Sequence, residues 1–324
     1  MGKTNFYRYN FKNDNRNGEI KGMYEAVVIG SGPAGLSAAL YLKIAGKDII
    51  VIEKEYEGTG QIMQSIRVDN YLGFPSVSGE TLGERFRQHV LDAGVIFLRD
   101  EAEKILHNGN IWNIRLSSEK TIETETILYA AGAVPKILGI QGEREYLGRG
   151  ISYCAYCDGS LYGGKEVAVI GGGDTALDDA LYLSELCRKV YLIHRRAEFR
   201  GNEAALEILK KRENVEIITE ASVRRAEGHK KLEEIFLDNG RKLSVSGLFV
   251  AVGSIPASDR IKDYVERDLN GYVIAEEDGI TKAPGLFVAG DVRTKKLRQV
   301  ITAASDGANA AASAINYLKC RRKG

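Results

Sequence analysis

The chain has 324 residues, 44% hydrophobic and 27% charged, enough for two domains that each bury a core of their own. Its 45 Lys and Arg against 44 Asp and Glu leave a formal charge of +1, so no net field draws it to nucleic acid or to an anionic membrane. No apolar run is long enough to span a bilayer, and a cytoplasmic location is expected.

Residues 1–22 are polar and Asn-rich, lack the apolar centre of a signal peptide, and read as a disordered leader. The first apolar strand opens at Met23 and runs into Val28-Ile29-Gly30-Ser31-Gly32-Pro33-Ala34-Gly35-Leu36, a glycine turn followed by a helical pattern. Shifted by 141 positions, this stretch falls on Val169-Ile170-Gly171-Gly172-Gly173-Asp174-Thr175-Ala176-Leu177 without a gap. The match continues: Ala39-Leu40-Tyr41-Leu42 lies on Ala180-Leu181-Tyr182-Leu183, and the strand Ile49 to Ile52 on Val190 to Ile193. One glycine cluster would signal little, but two framed copies predict two dinucleotide-binding βαβ units. Gly30 and Gly171 permit the tight strand-to-helix turn, and Gly32 and Gly173 let backbone amides reach a pyrophosphate at the helix N-terminus. Gly35 and Ala176 keep each helix close to its strand.

The residue after the second strand of each copy separates the ligands. In the first copy it is Glu53, whose carboxylate accepts hydrogen bonds from a free ribose diol and repels a 2′-phosphate, so this copy suits FAD or NAD. In the second, the aligned residues are His194, Arg195 and Arg196, with Arg200 a helical turn beyond, and guanidinium groups suit the 2′-phosphate of NADPH.

A shorter echo marks the domain ends. Tyr129-Ala130-Ala131-Gly132-Ala133-Val134-Pro135 parallels Val250-Ala251-Val252-Gly253-Ser254-Ile255-Pro256, each closing an apolar strand with glycine and proline. The predicted architecture is α/β, with two Rossmann-like, three-layer ββα domains. The first spans 23–134 and 255–324, and the second, 135–254, is inserted into it through a hinge at the two prolines. Ile111 to Arg115 and Lys231 to Leu237 read as strands of antiparallel ribbons, with Trp112 as packing.

Of the four cysteines, Cys187 and Cys320 stand alone, while Cys154-x-x-Cys157 forms a motif. The spacing by itself fits a redox dithiol, a structural disulfide or half of a zinc site. His89, His107, His194 and His229 are scattered and supply no second ligand pair, so no metal is expected.

With these pieces in order, the chain from about Met23 to its end resembles the low-molecular-weight thioredoxin reductases. The motifs that carry the likeness are the first glycine loop, Thr59-Gly60-Gln61-Ile62, Cys154-Ala155-Tyr156-Cys157-Asp158-Gly159 and the second glycine loop with His-Arg-Arg. Gly290-Asp291-Val292-Arg293 and Leu297-Arg298-Gln299-Val300 complete the series. The resemblance implies FAD on the outer domain and NADPH on the inserted one. It places Asp291 on the ribityl chain and Gln61, Asn70, Arg298, Gln299 and Val300 near the flavin, with Gly132 and Gly290 in the same cradle. It implies that Cys157 faces the flavin, that Cys154 attacks the partner's disulfide, and that Asp158 gives and takes protons, although Asp158 before Gly159 also suits a plain turn. Electrons would pass from NADPH through FAD and the dithiol to thioredoxin or a similar small dithiol protein, with rotation about the hinge and a homodimeric assembly. Three positions depart from the family pattern: Thr59 where Gly is frequent, Ala257-Ser258 where Asn-Thr follows the proline, and Tyr156 in place of Thr. Two alternatives are a related flavoprotein reductase with another acceptor and a non-catalytic redox or nucleotide sensor. A sensor would have no need of the paired thiols.

Overall fold

The structure is a computed structural model that describes residues 21–55, 59–65 and 67–322; the leader expected at 1–22 lies almost wholly outside the described residues. The chain divides into two compact units. The first holds the described residues up to Ile62, Thr81–Ala133 and the residues from Pro256 onward; the second holds Met63–Glu80 and Val134–Ile255.

The first unit begins with β1 (Met23–Ile29), α1 (Pro33–Ile44) and β2 (Ile49–Glu53), followed by α2, which runs Gly79–Asp92 and so starts in the other unit's segment. Then come β3 (Ile96–Arg99), β4 (Ala102–Asn108), β5 (Ile111–Leu116) and β6 (Thr121–Tyr129). After the crossing strand β7 (Ala133–Pro135), the second unit contributes α3 (Glu143–Tyr146), β8 (Ile151–Ser152), α4 (Ala155–Asp158), β9 (Glu166–Ile170) and α5 (Asp174–Leu186). It continues with β10 (Lys189–Ile193), α6 (Glu203–Lys210), β11 (Val215–Ile218), β12 (Val223–Gly228), β13 (Leu232–Leu237), β14 (Lys242–Ser244) and β15 (Gly247–Val250). The chain returns through β16 (Ser254–Pro256) to β17 (Leu286–Val288) and the long α7 (Val300–Arg321).

In the first unit the strands follow the order β3-β2-β1-β6-β5-β4, and β6 has three partners, β1 along one edge and two strands in turn along the other. Its Thr121–Thr124 half pairs antiparallel with β5, while Ile127–Tyr129 pair parallel with β17. The same strand therefore belongs to the parallel sheet and also starts an antiparallel layer. Strands β1 and β2 are almost wholly apolar, as expected where helices cover one face and the second layer the other. Helix α1 has no single apolar stripe because α7 covers it as well as the sheet. A Cβ at Gly307 of α7 would stand 2.0 Å from the Ala34 carbonyl oxygen, and Ala38, Ala39, Ala310, Ala311 and Ala314 are all fully buried. Small side chains are what let these two helix backbones come so close.

The second unit repeats the plan with a parallel sheet, β11-β10-β9-β15-β8, and an antiparallel ribbon, β12-β13-β14. The ribbon strand predicted from Lys231 to Leu237 is β13, and that from Ile111 to Arg115 is β5. Trp112 is fully buried, donates its indole N–H to the Pro284 carbonyl at 3.2 Å, and stacks on His107 at 4.1 Å, a packing role.

One segment sits differently from the sequence expectation. Met63–Glu80 groups with the second unit rather than the first. It closes on itself, with Val68 and Val77 exchanging backbone hydrogen bonds and Gly79 N–H donating to Ser65 O at 2.9 Å, so no strand of the first sheet claims it. Among the described residues, no helix is long and apolar enough to cross a membrane.

Candidate functional site: two glycine cradles and a disulfide

In the first unit, β1 ends in Gly30 at φ 95°, where a Cβ would come within 2.6 Å of the Ala130 carbonyl oxygen; no other residue fits this turn. Gly32 caps α1, Pro33 occupies its first turn, and the unpaired amides of that turn face outward for an anion. Gly35 lies so close to Gly30 that a Cβ would stand 1.9 Å from the Gly30 carbonyl oxygen. Glu53, at the end of β2, accepts at Oε2 from both the Ser31 amide and the Ser31 hydroxyl at 2.8 Å, and at Oε1 from the Glu55 amide at 3.0 Å. Before it meets any ribose, this carboxylate ties the glycine loop to the next strand. Its oxygens keep acceptor capacity beyond these bonds.

Two further motifs converge on the loop. A Cβ at Gly60 would lie 3.0 Å from Gly32 Cα, and one at Gly290 would lie 2.8 Å from Ala34 Cβ. Gly60, Gly290 and Asp291 therefore border the cradle. Gln61 is held by a hydrogen bond from its side-chain amide to the Ala133 carbonyl, and Gly132 lies just before that residue, accepting at its carbonyl from the Ala257 amide at 2.9 Å. Gln299 caps α7, its amide donating to the Thr302 hydroxyl at 3.1 Å, and Val300 opens the helix half-buried. Asn70 is exposed in the segment that groups with the second unit.

The sequence reading missed the support beneath Asp291. Asp306 of α7, 5% exposed, accepts from Arg293 Nη2 at 2.6 Å and Nε at 2.9 Å, from Lys295 Nζ at 2.8 Å, and from the Gly290 amide at 3.0 Å. These bonds hold the Asp306 carboxyl below the usual range against the effect of burial. They also fix the turn that presents Asp291. The available signal was a lone acid in the small-residue pattern of α7.

Polar atoms left unsatisfied then identify where a ligand belongs. Thr59 Oγ1, Asp291 Oδ1 and Arg298 Nε are buried in this unit with no hydrogen-bond partner. Burial pushes the Asp291 carboxyl up, with Lys295 and Arg298 opposing it. Native proteins seldom leave such atoms unpaired, and a cofactor rich in hydroxyls and carbonyls fits them. Flavin adenine dinucleotide has that chemistry.

The second cradle is built alike and carries the opposite charge. A Cβ at Gly171 would lie 2.3 Å from the Ala251 carbonyl oxygen and 2.6 Å from Ala176 Cβ, while Gly173 caps α5 with open space before it. The Gly172 carbonyl accepts from the Arg200 amide at 2.7 Å and the Gly201 amide at 3.1 Å, and Asp174 Oδ1 accepts from the Asn202 amide at 2.7 Å. These bonds pin the arginine segment beside the glycine turn. Arg195, Arg196 and Arg200 are exposed and form no ion pair among the described residues, and Thr175 is exposed beside them. An unpaired set of guanidinium groups fits a nucleotide phosphate. His194, expected in the same set, lies beneath the loop: it is 6% exposed, a Cβ at Gly172 would touch its ring at 2.2 Å, and its Nε2 is 3.0 Å from the Glu198 carbonyl. Burial, opposed by the Glu198 carbonyl and aided by the neighbouring arginines, holds its pKa below the ordinary value, and the ring supports the loop from beneath.

The disulfide stands on the same unit. Cys154 and Cys157 are bonded with Cα atoms 5.3 Å apart, the turn of α4 bringing them together, and the Cys157 amide donates to Cys154 Sγ at 3.1 Å. Tyr156, one of the residues that depart from the family pattern, is exposed and stacks on Tyr182 of α5 at 4.6 Å, which anchors the motif to that helix. Asp158 Oδ2 accepts from the Ser152 hydroxyl at 2.6 Å, while Oδ1 is buried without a partner. Burial pushes this carboxyl up and the Ser152 bond partly opposes the shift. A carboxyl with a raised pKa next to a dithiol is a proton donor and acceptor in waiting.

Two cradles of opposite charge preference and a bonded vicinal cysteine pair are the parts of a nucleotide-driven disulfide reductase. Residues 24–307 match the profile of the pyridine nucleotide-disulphide oxidoreductase family. The chain belongs to this family. Within it the reductase is similar to the thioredoxin reductase of Helicobacter pylori strain J99, 38% identical over 310 residues that make up 92% of this chain and 99% of the other. The thioredoxin reductase of Mycoplasma genitalium is 36% identical over 89% of this chain and 93% of its own. Among solved structures, thioredoxin reductase from Streptococcus pyogenes superposes with a TM-score of 0.87 at 32% identity, covering 92% of the reductase and 99% of its own chain. The reductase is thus an oxidoreductase of the kind that uses FAD and NADPH.

Proposed function

We propose that the reductase passes electrons from NADPH, bound at the Gly171 to Ala176 loop and the arginines, through FAD to the Cys154–Cys157 disulfide and on to thioredoxin. The observation that carries this reading is the closed disulfide on the unit with the arginine-ended cradle, beside a buried carboxyl with one free oxygen. Gly30, Gly32, Glu53, Asp291 and Arg298 would hold FAD, which when bound accepts hydride from NADPH and delivers an electron pair to the disulfide.

The protein's own residues do the rest. Arg195, Arg196 and Arg200 select the phosphate-bearing nucleotide by charge. Cys154 attacks the partner disulfide as a thiolate, to which the Cys157 amide can donate. Asp158 takes a proton from a thiol and returns it to the departing partner sulfur. Cys187 is buried and Cys320 exposed, both free thiols, which suits a reducing cytoplasm.

The test is the purified holoenzyme and its Cys154→Ser variant. Wild type should reduce thioredoxin at the expense of NADPH. The variant should still bleach the flavin on adding NADPH and transfer nothing to thioredoxin. Full thioredoxin reduction by the variant, or a colourless wild-type protein, would sink the reading.

A further inference from the structure

We propose that Ser152 is a positioning residue for the proton transfer at the dithiol: its hydroxyl occupies Asp158 Oδ2 and leaves the mobile proton to Oδ1. The inference rests on the reading of Asp158 as the acid-base group.

Ser152 ends β8, 6% exposed, and its place is set by the parallel pairing of Ile151 and Ser152 with Leu248 and Phe249 of β15. Its hydroxyl has one proton to give and two lone pairs. The Cys154 amide, at 3.0 Å, uses a lone pair. The proton has two acceptors in reach, Asp158 Oδ2 at 2.6 Å and the Cys154 carbonyl at 3.3 Å. The carboxylate is nearer and charged, and such bonds are about twice as strong as neutral ones. So Oδ2 is filled by a donor fixed on a strand, while Oδ1 is buried with no donor at all. A proton on Oδ2 would force Ser152 to swing its O–H to the longer bond at 3.3 Å, whereas a proton on Oδ1 displaces nothing. The carboxyl therefore titrates at Oδ1. One small hydroxyl thereby connects the start of the cysteine loop, through the Cys154 amide, with its acid-base group.

The chemistry balances as follows. The Asp158 carboxylate takes the proton of the Cys154 thiol on Oδ1. The Cys154 thiolate attacks one sulfur of the partner disulfide, forming the mixed disulfide and breaking the partner's S–S bond. The departing partner sulfur leaves as thiolate and takes the proton from Oδ1. Asp158 then takes the Cys157 proton, the Cys157 thiolate attacks Cys154 Sγ, and the second partner sulfur leaves and is protonated in turn. Two electrons and two protons have passed from the dithiol to the partner, and Asp158 is again a carboxylate bonded to Ser152.

The sign of the pH effect follows. The Ser152 bond favours the charged carboxylate and opposes burial, so removing it raises the Asp158 pKa further. A hydrogen bond to a charged group is worth enough to shift the titration by about one pH unit.

The experiment measures the pH dependence of thioredoxin reduction at saturating NADPH for wild type, Ser152→Ala, Ser152→Thr and Asp158→Asn. The rate of flavin reduction by NADPH, which does not pass through the dithiol, reports folding. The limb of the rate profile governed by Asp158 should move up by about one pH unit in Ser152→Ala and return in Ser152→Thr. If Ser152→Ala does not accumulate, the equal-volume pair Ser152→Thr and Ser152→Val asks the same question, since the two differ in the hydroxyl. A Ser152→Ala or Ser152→Val profile that superposes on wild type, with Asp158→Asn slowed, overturns the role of Ser152 and leaves Asp158 in place. An Asp158→Asn enzyme with the wild-type rate and profile removes the acid-base reading itself.

Discussion

Replacing Asp179 with asparagine isolates the cost of a buried charge in α5. Asp179 lies on α5, 6% exposed, and burial, with a smaller contribution from Asp178, pushes its carboxyl up to about 7. A carboxyl raised in the folded state favours folding at low pH, where both states are protonated. That advantage is lost as the pH rises from the unfolded value near 3.8 through about 7. Between pH 4.5 and 8 the wild type should therefore lose about 3 kcal/mol of stability that the asparagine variant does not lose, at 1.36 kcal/mol per pKa unit. The asparagine has its own burial cost, but that cost does not depend on pH and cancels in the comparison. The assay is the thermal midpoint of the holoenzyme and of Asp179→Asn at the two pH values, read at excess NADP. For a domain of this size the variant's relative gain at pH 8 should be roughly 5–10 °C. A difference between variant and wild type that is the same at both pH values would refute the buried-charge argument.

Two further outcomes follow from distances and charge. Arg195→Ala with Arg196→Ala removes two unpaired guanidinium groups from the second cradle and should raise the KM for NADPH by about 10–100-fold, leaving NADH use unchanged. Steady-state kinetics with both nucleotides checks it, and equal weakening of both would contradict a phosphate contact. Gly307→Ala places a Cβ 2.0 Å from the Ala34 carbonyl oxygen, a backbone atom that cannot turn aside, so α7 must move from α1 at a cost of about 1–3 kcal/mol. The thermal midpoint of the holoenzyme should fall by several degrees; an unchanged midpoint would show that the helices separate freely.

The parts of the site that were legible in the sequence are those where geometry admits one residue type. Gly30 and Gly171 face carbonyl oxygens within 2.6 Å and 2.3 Å of any added Cβ, so the turn writes itself into the chain as glycine, twice and in register. The arginines stand out for a similar reason, because exposed guanidinium groups with no ion pair among the described residues would suit a phosphate. That Met63–Glu80 groups with the second unit was not legible, because chain order was the only guide to its place and its closure on itself, Val68 with Val77, has no period that a sequence shows. His194 was read with its basic neighbours, since nothing in His-Arg-Arg distinguishes a ring beneath the loop from side chains above it.

Ser152, Asp306 and Ser31 share a different reason for being missed. Each acts through a hydrogen bond to a motif residue: Ser31 to Glu53 across 22 positions, Asp306 to Arg293 across 13, Ser152 to Asp158 across 6. A motif is recognised by the residues that meet the ligand, whereas these meet other side chains and backbone amides, and serine and aspartate occur too often to announce such a bond. Their chemistry is nonetheless as constrained as that of the motif. Glu53 would offer its carboxylate to a ribose in one orientation because Ser31 holds Oε2 twice, and Asp291 keeps an Oδ1 without a hydrogen-bond partner, 3.9 Å from Lys295 Nζ, while Asp306 takes the Gly290 amide, Arg293 and the nearer contact with Lys295. Beneath Asp291 a second acid fixes the turn, and at the disulfide a serine fixes one oxygen of Asp158, so that in each case the oxygen left over has a single direction in which to act.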